Sequence, residues 1–156
     1  MKPSKWLIAF TLTLVAALCS CAPLRYPTTR PYDQVLKANP RDAKAWSNKG
    51  AALHKLGRLE EALKCYGQAL EVNPRLAEAW SNKGAALGKL GRYDEALKCC
   101  DQALEINPRY AGAWSNKGGA LAKLGRYDEA LKCCDQALEI NPRLAEAWSN
   151  KSAALT

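Results

Sequence analysis

The residues of this chain that could do chemistry come back at fixed intervals. Cys99-Cys100 recurs as Cys133-Cys134, and Cys65 holds the same place in an earlier stretch. Paired thiols at a constant spacing raise the question of a metal or redox site. The pairs lack the two-residue gap that lets a turn wrap a zinc ion, and the single histidine, His54, lies on another segment. Packed helices stack about 10 Å apart, beyond the reach of a disulfide between equivalent slots. The cysteines therefore read as packing residues, with no metal and no cofactor implied. A second series is Asn48, Asn82, Asn116 and Asn150. A side-chain amide carries donor and acceptor together, so a spaced ladder of them can pair with the backbone of an extended peptide whatever its sequence. Catalytic parts are wanting. No phosphate-binding glycine loop or nucleophile elbow occurs, and most of the Asp and Glu residues fall in first turns of helices, where the helix dipole explains them. The sequence predicts a binding protein and no enzyme.

These series exist because the chain repeats itself. Near-identical stretches begin at Asn39, Asn73 and Asn107, and part of a fourth runs from Asn141 to Thr156. The third copy departs from the second only where Leu76, Glu78, Ala85 and Gly88 become Tyr110, Gly112, Gly119 and Ala122; the first departs from the second at eight places. A fixed period of about 34 residues means an array, because each unit must bury its apolar face on the next. With 156 residues there is room for one array and a tail. Ala and Leu supply most of the 48% hydrophobic content and there is a single Phe, the composition of packed helices. The fold class expected is all-α.

Local chemistry divides each copy. In the second, Asn73 is expected to cap a helix with Pro74 in its first turn. Leu76, Ala79, Trp80, Ala86, Leu87 and Leu90 recur at helical spacing, and Gly91 stops the run. Tyr93, Ala96, Leu97, Cys100, Ala103, Leu104 and Ile106 make a second helix, opened by Asp94 and Glu95. The unit is a helical hairpin.

This pattern resembles the tetratricopeptide repeat, which has the same length and the signature carried here by Trp80, Gly84, Leu87, Tyr93, Ala96, Ala103 and Pro108. Lys49, Lys83, Lys117 and Lys151 stand where the family more often has Leu, and Cys100 and Cys134 where it has a bulky aromatic; Lys can snorkel and Cys packs as a small hydrophobe. The resemblance implies a right-handed superhelical α-solenoid that binds ligands in a concave groove lined by the first helices. The groove slots it implies are Ser47, Ser81, Ser115 and Ser149, then Asn48, Asn82, Asn116 and Asn150, then Lys55, Lys89 and Lys123. Ala51, Ala85, Gly119 and Ala153 would leave room for a ligand backbone. The family's carboxylate clamp maps onto Ser47, Ala51, Asn82, Gly112 and Asn116, which lack its cations, so that mode is not expected.

Residues 1–21 differ from the rest. Lys2 and Lys5 precede an uncharged run from Trp6 to Cys19, the pattern of a secretory signal and short of the roughly 20 residues a spanning helix needs. Leu18-Cys19-Ser20-Cys21 resembles a bacterial lipobox, which implies lipidation of Cys21 and an exported protein anchored in the cell envelope, at the outer membrane in a Gram-negative host. Residues 22–31 form a Pro-rich tether reaching about 3.1 Å per residue. The array occupies 32–156: a partial helix at 32–38, repeats at 39–72, 73–106 and 107–140, and a terminal helix at 141–156. The expected partner is a protein or peptide in an envelope complex.

The chain carries 23 Lys and Arg against 15 Asp and Glu; without Lys2 and Lys5 the balance is 21 against 15, or +6. Such an excess can attract nucleic acid or another anionic polymer, but the cations recur at repeat slots and not in one run, so solvated faces are the favoured reading. Asp33 to Pro40 matches Asp101 to Pro108, so the two end pieces are halves of one repeat. Head-to-tail self-association is the alternative they open, against capping helices.

Overall fold

A computed structural model describes residues 28–155, and among these it contains eight helices and no strand. The helices are α1 (Arg30–Ala38), α2 (Ala43–Lys55), α3 (Leu59–Val72), α4 (Ala77–Lys89), α5 (Tyr93–Ile106), α6 (Ala111–Lys123), α7 (Tyr127–Ile140) and α8 (Ala145–Leu155). Helices α2 and α3, α4 and α5, and α6 and α7 pair as hairpins that stack in chain order, with α1 and α8 at the two ends. The array is therefore an all-α solenoid. The signal stretch, Cys21 and residues 22–27 of the tether lie outside the described residues. Helix α1 begins at Arg30 and takes Pro31 into its first turn, where a missing N–H costs nothing.

The hairpin turn is set by one glycine. Gly57, Gly91 and Gly125 adopt φ of 75°, 77° and 76°, the left-handed conformation that ends a helix. The N–H that follows then reaches back into the last turn: Arg92 N donates to Leu87 O at 3.0 Å, as Arg58 does to Leu53 and Arg126 to Leu121. The same arginines fork onto Glu61, Glu95 and Glu129 at 2.6 to 2.7 Å, exposed pairs of small energetic weight.

The connection between hairpins differs from the sequence expectation. Asn73 does not cap α4. It closes α3, donating its N–H to Ala69 O, while its Oδ1 accepts the N–H of Arg75 at 3.1 Å. Pro74 O accepts the Trp80 indole N–H at 2.8 Å, so the chain stays in a turn until Leu76 and the helix starts at Ala77. Side-chain capping from the N-cap position occurs at α2 alone among the first helices so characterised, where Asp42 accepts from Ala45 N at 2.9 Å.

Close packing follows from small residues at set places. A Cβ on Gly84 would stand 3.2 Å from Ala96 O and 2.9 Å from Cys100 Sγ; at Gly118 the distances are 3.2 Å to Ala130 O and 2.8 Å to Cys134 Sγ. In the first hairpin the fully buried Tyr66 fills the cysteine's slot, and a Cβ on Gly50 would meet its ring at 2.6 Å. Trp80 joins hairpin to hairpin, packing in clusters built on Leu70 of the preceding unit and on Leu87 and Leu104 of its own. The four lysines of the variant slot lie over the tryptophans at 5.3 to 5.7 Å, so their stems cover apolar surface while the ammonium stays near the π face.

Candidate functional site

The first helices α4, α6 and α8, with the end of α2, wall a cavity of about 620 Å³. Asn82, Asn116 and Asn150 border it, as do Lys89 and Lys123. Asn48 is half-buried and Lys55 exposed, and neither lines the cavity.

The serines require a correction. Ser47, Ser81 and Ser115 are not exposed groove residues; they are buried, at 1%, 1% and 0% exposure. The reason is the spacing between adjacent first helices, which sets Ser81 beneath Asn116 and Ser115 beneath Asn150. Asn116 Nδ2 donates to Ser81 Oγ at 3.1 Å and to Ser81 O at 3.2 Å; Asn150 Nδ2 donates to Ser115 O at 3.0 Å and Oγ at 3.3 Å. Ser81 alone of the three borders the cavity, and Ser149 on the terminal helix is exposed. The asparagine ladder is thus oriented from below. The Nδ2 of each bonded amide is committed to the neighbouring helix, and its Oδ1 is what a ligand donor could use. At the first junction Ser47 Oγ has no partner among the described residues, and His54 Nε2 and the Tyr66 hydroxyl are also buried without one there.

The repeat pattern does not place His54, Tyr93, Tyr110 and Glu146 in the groove, yet all line it, beside Gly112 of the clamp slots. The signal is present in the copies themselves. Across the four positions where the third copy departs from the second, the third copy's Tyr110, Gly112 and Gly119 and the second copy's Gly88 all face the cavity. Nearly identical units have diverged at the groove wall. Gly119 gives Asn150 its place: a Cβ there would stand 3.1 Å from Asn150 Nδ2. Burial holds the His54 imidazole below its ordinary range, with the charge of Lys89 adding in the same direction, so the imidazole is neutral at pH 7. Burial likewise raises Tyr110, with Glu78 contributing.

The five cysteines Cys65, Cys99, Cys100, Cys133 and Cys134 are free and buried. Burial pushes every one of these thiols upward, Cys100 to about 12 and Cys134 to about 11. A thiol held protonated is a poor nucleophile and a poor metal ligand. Among the described residues no group of three or more His, Cys, Asp or Glu is placed to hold a metal. No described helix is long and apolar enough to cross a membrane.

A tetratricopeptide repeat profile matches residues 43–76, 77–110 and 111–144. It keeps the period of the sequence repeat and sets each boundary at the start of a first helix. A soybean (Glycine max) protein, Hsp70-Hsp90 organizing protein 1, is 49% identical over 41 residues, covering 26% of this chain and 7% of that protein. Among solved structures, the first tetratricopeptide domain of Spaghetti (RPAP3), bound to the HSP90 peptide SRMEEVD, superposes with a TM-score of 0.69 at 27% identity, covering 74% of this chain and 91% of that one. The Arabidopsis OM64 domain gives 0.69 at 26% identity over 72% of this chain and 93% of its own. The second human RPAP3 domain, in complex with the HSP70 peptide SGPTIEEVD, gives 0.67 at 27% identity over 73% and 95%.

Proposed function

The chain belongs to the tetratricopeptide repeat family, and from that premise we propose that it is a binding scaffold holding an extended segment of a partner protein in the groove of its first helices. The observation that carries this reading is the divergence of near-identical copies at the groove wall, at Tyr110, Gly112, Gly119 and Gly88. Two structural neighbours hold chaperone peptides, which supports peptide capture as the use of such a groove. The grip here is of another kind. The clamp slots offer no cation, Ser47 is buried, and the Asn116 amide is tied to Ser81. Asparagine amides would meet the ligand backbone, Tyr110 an apolar side chain, and Lys89 and Lys123 acidic ones.

Paired cations weaken the polyanion reading. Lys49, Lys117 and Lys151 bond Asp33, Asp101 and Asp135, and Arg58, Arg92 and Arg126 bond glutamates, so these cations are neutralised locally and recur once per repeat, and the positive excess is spread along the array and not gathered in one run. Head-to-tail joining is also disfavoured. By the repeat period it would set Ser152 against Tyr32 where Gly50 meets Tyr66, and a Cβ at Gly50 already falls 2.6 Å from that ring.

The test is to select a ligand from a random peptide library displayed against the full chain and measure its affinity by calorimetry. Asn82→Ala and Tyr110→Ala should each weaken it about tenfold, roughly 1.4 kcal/mol, with thermal unfolding nearly unchanged in Asn82→Ala and lowered in Tyr110→Ala, whose ring also packs against the Leu104 cluster. Equal affinity in both variants refutes the groove. The same proposal places the protein at the cell envelope through a lipid on Cys21, on the strength of the charged, apolar and small-residue pattern before it. Mass spectrometry of the membrane fraction should find lipidated Cys21, and Cys21→Ser should release the protein into the soluble fraction; an unmodified, soluble wild type overturns that placement.

A further inference from the structure

Four lysines share one slot of the repeat, and three of them hold a carboxylate. Lys49 Nζ lies 2.7 Å from Asp33, Lys117 from Asp101 and Lys151 from Asp135, in each case an aspartate at the same slot of the helix that precedes the lysine's own. For Lys83 that partner position is Gly67, where a Cβ would meet nothing within 4 Å. Lys83 has the same place over its tryptophan, 5.4 Å from the Trp80 ring, and no ion pair among the described residues joins it. Beside it a cleft of about 450 Å³ opens among α3, α4 and α5, sharing no lining residue with the groove. Half-buried Leu63, with Leu87 buried behind it, gives it an apolar wall; Lys64, Lys83 and Lys98 line it beside Glu60, and the remaining arginine and glutamate of the lining bond each other.

We infer that this cleft docks an acidic segment of a partner protein, one carboxylate of which takes at Lys83 the position that Asp33, Asp101 and Asp135 take at the other three lysines. The molecule itself shows which chemistry satisfies the slot, since three of its four copies are filled by a carboxylate. The apolar wall at Leu63 selects a carboxylate borne on a chain with apolar neighbours over a free anion, because a small hydrated ion gains nothing from an apolar wall. The three lysines against one glutamate supply the charge complementarity that steers such a segment in.

The experiment measures binding of a fluorescein-labelled decapeptide of glutamate and leucine to the full chain by fluorescence anisotropy, with sodium acetate as competitor. Gly67→Asp supplies the missing carboxylate from within, so it should weaken the peptide at least tenfold while leaving the thermal midpoint equal to or above wild type. Lys83→Met should weaken it similarly, and this variant decides the matter if the new aspartate turns away. Asn116→Ala, in the groove, should leave it unchanged, which separates this site from the groove. Displacement by millimolar acetate would mark the site as one for free anions and overturn the inference. So would absence of binding to wild type, unchanged affinity in Lys83→Met, or a loss confined to Asn116→Ala.

Discussion

Two glycines one turn apart on α4 should answer the same substitution with opposite signs. Gly84 faces the second helix of its hairpin, and an added Cβ would stand 2.9 Å from Cys100 Sγ and 3.2 Å from Ala96 O. The first neighbour is a fully buried side chain and the second is backbone, so neither yields without moving the helix pair. Overpacking of this kind costs about 1–3 kcal/mol, here the upper part, about 2–3, because two unyielding neighbours are met at once, against which alanine returns about 1 kcal/mol of helix propensity. Gly84→Ala should therefore lose roughly 1–2 kcal/mol, a fall of about 3–8 °C in unfolding midpoint for an array of this size. Gly88 has nothing within 4 Å of its Cβ position, so Gly88→Ala should gain about 0.5–1 kcal/mol. Urea denaturation of both variants beside wild type, followed by far-ultraviolet circular dichroism, reads the two signs directly. In a Cys100→Ala background the cost of Gly84→Ala should shrink by about 0.5–1 kcal/mol, because one of the two clashes is gone while the carbonyl contact remains. A Gly84→Ala protein as stable as wild type, or a penalty unchanged in the Cys100→Ala background, would refute the claim that glycine is there for close approach.

Trp80→Ala should cost about 3 kcal/mol by opening three clusters at once, whereas Trp148→Ala, at a position 54% exposed, should cost under about 1 kcal/mol; thermal melts of the pair test this. Asn116→Ala should lose about 0.5–1.5 kcal/mol by removing its bond to Ser81, and chemical denaturation checks it. The thiols of Cys100 and Cys134 titrate higher in the folded chain than the ordinary value of 9.0, so their contribution is complete below about pH 9 and is lost as pH rises towards about 12 and 11. Urea midpoints at pH 7.5 and 10.5 should show that fall, and Cys100→Ala with Cys134→Ala should flatten it; an unchanged slope would sink the explanation.

Some of this architecture is legible because its causes are local. Gly91 stops a helix through its own φ, and Tyr93 to Ile106 carry their apolar period within one continuous segment. Gly84 facing Ala96 is readable too, since a small residue at that spacing means close approach. The start of α4 is not, because Asn73 has two uses for its Oδ1, capping a following helix or closing an Asn-Pro-Arg turn. The choice between them lies with the Trp80 indole, which reaches back to Pro74 O. The serines mislead for a related reason: a polar residue beside an asparagine looks solvent-facing until the next hairpin covers it.

By itself the sequence determined a helical array, its repeat period, its hairpin turns and the chemistry of its repeated slots, because period, glycine conformation and side-chain type act within a unit. Only the stacking of one hairpin on the next decided which slots face a ligand. It buried Ser81 under Asn116, brought Tyr110 and Glu146 to the groove, gave three lysines an aspartate and left Lys83 opposite Gly67. Those contacts join residues on different helices, far apart in the chain, and their existence depends on the distance and offset between helices, which no single repeat encodes.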